Sequence, residues 1–352
     1  MKFSKAKLYL ITDEKQRLYF TGFASSAGYV LLFPDGMTFV VDDRYSYAAK
    51  KLLAPKGIKV ESGTGYGFLK AYAEDRKVET IGVDFTKLTV SEYERLQGEG
   101  FNLVNVADEI ESVMSIKTEE ELVSIAKACA IAEKSFREAV AEMRLGMSER
   151  ELAAILEYRF KVNGASDKSF DTIVAFGPNS AVPHHETGET RLKNDVPVLM
   201  DFGCIYNGYC SDMTRTFYFG IPSREFVKAY DAVLAAHVKA YENIRAGMIG
   251  SEADGIARNV IFENGYSGYF THSLGHGIGV NIHEYPWVSP KANNVLENGM
   301  VFSIEPGVYI NGKFGIRIED TEVMKNGRPQ TFMTETKNLC VWSNGKLKKY
   351  GK

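Results

Sequence analysis

Four acids and a histidine lie within sequence that is otherwise built for a core. The stretch "MDFGCIYNGYCSDMTRTF" (Met200–Phe217) reads as a β-hairpin, yet it carries Asp201 and Asp212. Asn207-Gly208 is a type I′ turn signal, because both central residues of that turn need positive φ. With this turn, Tyr206 faces Tyr209, Asp201 faces Thr214 and Asp212 faces Gly203. Both aspartates then point to one face as diagonal neighbours, roughly 7–8 Å apart along the backbone. Like charges converging in a half-buried place are costly unless a cation neutralises them. For this segment alone, a solvated polar face is the other reading.

A second apolar hairpin, "MVFSIEPGVYINGKFGIRIEDTEV" (Met300–Val323), carries Glu305 and Glu319. A three-residue loop, Asn311-Gly312-Lys313, puts Ile310 opposite Phe314 and Glu305 opposite Glu319, with Arg317 on the same face. Five of the six histidines fall in two stretches, "PHHE" (His184, His185) and "THSLGHGIGVNIHE" (His272, His276, His283). His237 stands apart in a helix and reads as structural. The glycines flanking His276 let backbone pass close to a ligand or to another chain segment.

Asp201, Asp212, His276, Glu305 and Glu319 together suit two divalent ions, since four carboxylates balance two M²⁺. Oxygen-rich ligation with one nitrogen and no thiolate favours Mn²⁺ or Co²⁺, with Fe²⁺ or Zn²⁺ as further options. Two such ions roughly 3.5–4 Å apart can activate water and polarise a carbonyl oxygen.

The elements that must position these groups follow from the rest of the chain. With 352 residues, two domains are expected. Residues 1–115 alternate strand-like and helix-like pieces, an α/β pattern that includes a Tyr29–Phe33/Met37–Val41 hairpin. Residues 116–352 open with a capping box, Thr118 with Glu121, and a long helix to about Met143. A second helix follows over Ser148–Gly164. Gly146-Met147 matches Gly247-Met248, and at the same spacing Lys127-Ala128, Arg144, Ile155 and Asn163-Gly164 match Lys228-Ala229, Arg245, Ile256 and Asn264-Gly265. This reads as an internal repeat, about 118–218 and 219–340, with a crevice between pseudo-symmetric halves.

Composition narrows the function classes. The net charge is −3 with no clustered Lys or Arg, so neither a nucleic-acid groove nor an anionic membrane surface is expected. No apolar run has the length of a signal core or a membrane span. The four cysteines form no CxxC, which fits free thiols in a reducing cytosol.

The motifs "DFGCIYNGYCSDMTRTF", "HSLGHGIGVNIHE", "SIEPGVY" and "GIRIED", in this order, resemble those of the pita-bread metallopeptidases, which include proline dipeptidase and aminopeptidase P. "YFTGF" and "VDDRY" resemble the creatinase-like N-terminal domain that accompanies them. The resemblance implies a curved antiparallel sheet covered by helices in the second domain. It implies metal ligation by Asp201, Asp212, His276, Glu305 and Glu319, with Asp212 and Glu319 bridging. Glu305 would also shuttle a proton, His283 would hold the scissile carbonyl oxygen or its oxyanion, and His184 would lie near the substrate. Arg317 would orient the site, and His272, Tyr309 and Trp287 would contact the substrate. The substrates would be short proline-containing peptides, cleaved between the N-terminal residue and proline by a cytoplasmic homodimer. Dipeptide-specific members read HEWPR where this chain has "HEYPW", and indole cannot pair with a carboxylate as guanidinium does. That departure favours longer Xaa-Pro peptides over strict dipeptidase action. The competing readings are an inactive peptide-binding pita-bread protein, a creatinase-type amidinohydrolase and a methionine aminopeptidase. The complete ligand set opposes the first two, and the N-terminal domain opposes the third.

Overall fold

The computed structural model describes residues 4–351. Its contacts divide the chain into two compact units, Met1–Met114 and Ser115–Lys352.

The first unit is a mixed sheet with helices. Its strands are β1 (Leu8–Ile11), β2 (Tyr29–Phe33), β3 (Gly36–Val41), β4 (Lys59–Ser62), β5 (Thr80–Val83) and β6 (Asn102–Asn105), in the spatial order β4-β3-β2-β1-β5-β6. The pairings β1–β2 and β2–β3 are antiparallel, and the pairings β1–β5, β5–β6 and β3–β4 are parallel. Its helices are α1 (Glu14–Thr21), α2 (Asp43–Leu53), α3 (Gly67–Asp75), α4 (Val90–Gly98) and α5 (Ala107–Ser115). Leu10, Leu31, Val40, Leu69, Ile81 and Leu96 close a core between strands and helices.

The second unit carries two helix pairs, each followed by strands. Helices α6 (Glu119–Ala141) and α7 (Glu149–Val162) lead its first half, and α8 (Arg224–Asn243) and α9 (Gly250–Glu263) lead its second. Capping boxes start α6 and α7, each pairing a Thr or Ser hydroxyl with a Glu three residues on. Gly146 and Gly247 adopt positive φ after the first helix of each half. The amide of Gly146 then bonds Leu192 O at 2.9 Å, and that of Gly247 bonds Leu296 O at 2.8 Å. The same short segment thus ties helix to strand layer in both halves.

Four hydrogen-bonded sheets follow. Strands β8 (Ile173–Phe176), β9 (Val196–Phe202), β12 (Met213–Phe219), β20 (Cys340–Ser343) and β21 (Lys346–Lys349) form one, with the single pairing β12–β20 parallel. Strands β13 (Gly275–Gly277), β14 (Glu284–Val288), β15 (Val301–Ile304), β18 (Asp320–Lys325) and β19 (Arg328–Thr331) form the second. The third joins β7 (Asp167–Lys168), β10 (Cys204–Tyr206) and β11 (Tyr209–Cys210), and the fourth joins β16 (Gly307–Ile310) and β17 (Phe314–Arg317).

Both hairpins keep the expected register where their strands pair, but the expected pairs Asp212–Gly203 and Glu305–Glu319 are not formed. Tyr206 faces Tyr209 and Asp201 faces Thr214; Ile310 faces Phe314 and Ile304 faces Asp320. Neither ladder is continuous, however. A Cβ on Gly203 would lie 1.8 Å from Ser211 O, so only glycine permits that crossing. There β10 and β11 leave the first sheet, and β10 pairs with β7 instead. The second break falls between Ile304/Asp320 and Gly307/Arg317, at Glu305-Pro306 and Ile318-Glu319. The carboxylates of interest stand beside these breaks. Freed from cross-strand pairing, the Glu305 amide bonds Leu274 O at 2.8 Å and the Glu319 amide bonds Thr214 O at 3.1 Å.

Candidate metal centre and active-site cavity

The two broken hairpins and the glycine-flanked strand β13 bring their acids and imidazole to one place. Ligand atoms of Asp212, His276 and Glu319 lie within 4.8 Å of one another, and all three residues are buried. His276 Nε2 is 3.5 Å from Asp212 Oδ2 and 3.4 Å from Glu305 Oε1. Its Nδ1–H donates to Gly277 O at 3.1 Å, so the lone pair of Nε2 faces the acids. Burial lowers its pKa to about 3, so the ring is neutral. A lone pair aimed at two carboxylates is an arrangement that only a cation or a proton resolves.

The carboxylates carry the same signature. Burial, then the neighbouring Glu319, Asp201 and Glu305, raises Asp212 well above the usual carboxylate range. Burial and the charges of Glu305 and Asp201 do the same to Glu319. Burial pushes Glu305 up to about 8. Oδ1 of Asp201 and Oδ1 of Asp212 are buried without hydrogen-bond partners. Orphaned oxygens, mutually repelling acids and one neutral imidazole fit a divalent-cation centre.

Other side chains hold this set in place. Thr214 Oγ1 donates to Glu319 Oε2 at 2.5 Å, and Ser303 Oγ donates to Glu305 Oε1 at 3.2 Å. Arg317 Nη2 donates to Asp201 Oδ2, while its Nε donates to Thr214 Oγ1 at 3.0 Å. Its Nη1 donates to Tyr309 OH at 2.6 Å. Tyr309 passes its own hydrogen to His272 Nε2 at 2.8 Å, and His272 Nδ1–H ends the chain on Ser273 O at 2.8 Å. Burial lowers His272 to about 3, which fixes it as the neutral acceptor.

These groups face one cavity of about 520 Å³, within the range of roughly 300–1,000 Å³ usual for small-molecule sites. Its wall includes Asp201, Asp212, His276, Glu305 and Glu319, together with Arg317, His184, His272, His283 and Trp287. Tyr309 is not on that wall: it is 5% exposed and sits behind His272 and Arg317.

Residues 123–326 match metallopeptidase family M24, and residues 1–115 match the Creatinase/Prolidase N-terminal domain. The chain belongs to metallopeptidase family M24. It is 38% identical to an Xaa-Pro dipeptidase of Pyrococcus furiosus over 91% of this chain and 92% of that one. Among solved structures, an X-Pro aminopeptidase from Thermotoga maritima superposes with a TM-score of 0.89 at 34% identity, covering 96% of this chain and 97% of that one. An Xaa-Pro dipeptidase from Bacillus anthracis superposes with a TM-score of 0.90 at 35% identity, covering 96% and 95%. The M24 assignment also places the fold in the pita-bread class, with a creatinase-type domain ahead of it.

Several site residues of this M24 chain escaped sequence reasoning. His185 Nε2 bonds Glu149 Oε2 at 2.9 Å, and buried Glu149 also accepts from the amides of Phe176 and Gly188. Glu149 looked like an ordinary first-turn acid, and only the doubled histidine gave a signal. Thr214 and Ser303 carried none, because hydroxyl residues are common in strands.

Among the described residues a further group, His237, Asp320 and Glu322, also brings ligand-type atoms within 4.8 Å of one another. Asp320 there already holds Arg215 at 2.7 Å and is contacted by Lys337. A dication beside two cations would be uncompensated. Burial lowers His237 to about 4, so its ring is neutral, and burial together with the Asp320 charge raises Glu322.

Proposed function

We propose that the chain is an exopeptidase that uses two divalent ions, Mn²⁺ or Co²⁺ first among them, to hydrolyse the bond between an N-terminal residue and proline. Its preferred substrates are Xaa-Pro dipeptides. The observation that carries this reading is the convergence of Asp201, Asp212, His276, Glu305 and Glu319 on one cavity wall. The names of the Pyrococcus furiosus and Bacillus anthracis relatives favour the dipeptide.

Bound there, the ions supply Lewis acidity and an activated water. The chain's own groups do the rest. Glu305, held by Ser303, moves a proton from the attacking water to the leaving proline nitrogen. His283, whose pKa burial lowers, is a neutral N–H donor for the oxyanion that develops on the carbonyl. His184 lies on the same wall as His283. His272, stiffened by Tyr309, offers a flat wall to the proline ring. The bond attacked is a tertiary amide without N–H, so recognition rests on ring shape instead of backbone pairing.

A second reading, removal of the first residue from longer Xaa-Pro peptides, is favoured by Trp287. It is 44% exposed and lines the cavity without a charge to bind a C-terminal carboxylate. The Thermotoga maritima relative carries the aminopeptidase name. Buried thiols at Cys129, Cys204, Cys210 and Cys340 fit a reducing cytosol, and a homodimer rests on the family resemblance alone. Among the described residues no helix is long and apolar enough to cross a membrane.

The deciding assay follows alanine release from Ala-Pro and Ala-Pro-Ala after loading with Mn²⁺ or Co²⁺. Faster turnover of Ala-Pro supports the dipeptidase, and faster turnover of Ala-Pro-Ala supports the second reading. No release from either substrate, with metal bound, removes both.

A further inference from the structure

The loop that presents His283 is built around a buried charge. Glu284 follows His283 directly, at the start of β14. Its Oε1 accepts from Lys117 Nζ at 2.7 Å, and the two side chains are 10% and 1% exposed. Its Oε2 accepts from the Asn281 amide at 3.2 Å, inside the same loop. A Cβ on Gly279 would lie 2.2 Å from Glu284 Oε1, so the carboxylate packs directly on the Gly279 backbone. Gly279 in turn bonds Asn281 O through its amide at 3.0 Å and accepts from the Cys210 amide at 2.8 Å. Glu284 is therefore the hub on which residues 279–284 fold.

Lys117 is fixed from the other side. Its amide bonds Gly299 O at 2.9 Å, Ile116 bridges Met300, and its Nζ also reaches Ser115 O at 3.3 Å. The backbone that carries the ammonium is thus fixed to the chain segment that enters β15, whose next residues include Ser303. The His283 ring lies 4.2 Å from the His276 ring, centroid to centroid, at 64°. Among the described residues no hydrogen bond holds the His283 ring, so the loop decides where it points.

We propose that Lys117 and Glu284 are positioning residues that set the aim of His283 at the reacting carbonyl. This inference rests on the peptidase reading, in which His283 meets the oxyanion. A misplacement of about 1 Å at a reacting centre can cost on the order of a hundredfold in rate. Neutralising only the lysine should also strand the carboxylate beside Asn281 and distort the loop further.

The test compares wild type, Lys117→Met, Glu284→Gln and the double variant. Each is assayed on Ala-Pro with bound metal and melting temperature measured on the same samples. Lys117→Met should lower kcat about 10–100-fold, with KM within twofold and metal content unchanged. The double variant should recover most of kcat, because Gln at 284 still accepts from Asn281 and leaves no stranded charge. A purely structural pair would instead lower melting temperature and active fraction together, with kcat per metal-loaded site unchanged. That outcome overturns the proposal, as does a double variant slower than Lys117→Met. If Lys117→Met does not fold, Glu284→Gln alone decides by the same kcat-against-KM criterion. An inactive wild type with metal bound would reject the peptidase reading itself, which separates the two failures.

Discussion

Arg317 and Asp201 form a buried ion pair, with side chains 3% and 12% exposed. One guanidinium orients Asp201, a carboxylate of the candidate metal centre, through Nη2 and the cavity wall at His272 through Tyr309. Lysine is a single point donor and cannot span both. Arg317→Lys should therefore lower activity or metal affinity about 10–100-fold, the usual effect of losing an outer-shell partner. Metal titration and Ala-Pro kinetics would show it. Unchanged values for both would mean that Arg317 is only a structural counter-ion.

Removing the metal should destabilise the protein in a pH-dependent way. In the metal-free site burial pushes Glu305 up to about 8 and raises Asp212 and Glu319 as well. In the unfolded chain these carboxyls titrate near ordinary values of about 4. Between those limits the folded state binds more protons than the unfolded state, so stability falls as pH rises. Chelated protein should melt lower at pH 8.5 than at pH 5.5. Metal should reverse the trend, by about 2.7 kcal/mol at a hundredfold excess over Kd. A chelated melting temperature that rises with pH would contradict the clustered site.

The backbone frame of this site was legible because local turn chemistry sets it. Asn207, with φ of 50°, and Gly208, with φ of 85°, fix the turn that puts Asp201 opposite Thr214. Gly312, with φ of 73°, does the same for the second hairpin. The ladder breaks were not legible, because they depend on contacts remote in sequence. The Gly203–Ser211 crossing pulls the hairpin tip onto β7, and Leu274 and Thr214 capture the amides of Glu305 and Glu319. Tyr309 was expected to touch substrate; its place behind His272 follows from the Arg317 hydrogen bond, which no spacing encodes. The partnerships Glu149–His185 and Lys117–Glu284 join residues whose types and positions look ordinary until the chain folds.

In the proposed function Glu305 combines a ligand position with proton transfer, and an amide would separate the two. Glu305→Gln keeps the shape and the Ser303 contact but removes the base. General acid–base catalysis typically contributes about 10²–10⁴-fold, so kcat should fall by that order. Glu305→Ala should lose activity and also bind less metal. Equal metal content with a large loss of kcat in the glutamine variant would support the shuttle role. Full activity in either variant would remove it.

Trp287 sets a testable limit on substrate length. Its indole is on the cavity wall, 44% exposed, at the position where the resemblance puts arginine in dipeptide-specific family members. A charge-assisted hydrogen bond contributes roughly 1.5–3 kcal/mol, about 10–150-fold in kcat/KM. Trp287→Arg should therefore raise the ratio of Ala-Pro to Ala-Pro-Ala turnover by up to that factor, through KM more than kcat. Ala-Pro-amide provides the control, because its neutral end should gain nothing. If the variant leaves the ratio unchanged, the carboxylate lies elsewhere in the site. A different cation must then read it, and the open end of the cavity is not what decides dipeptide preference.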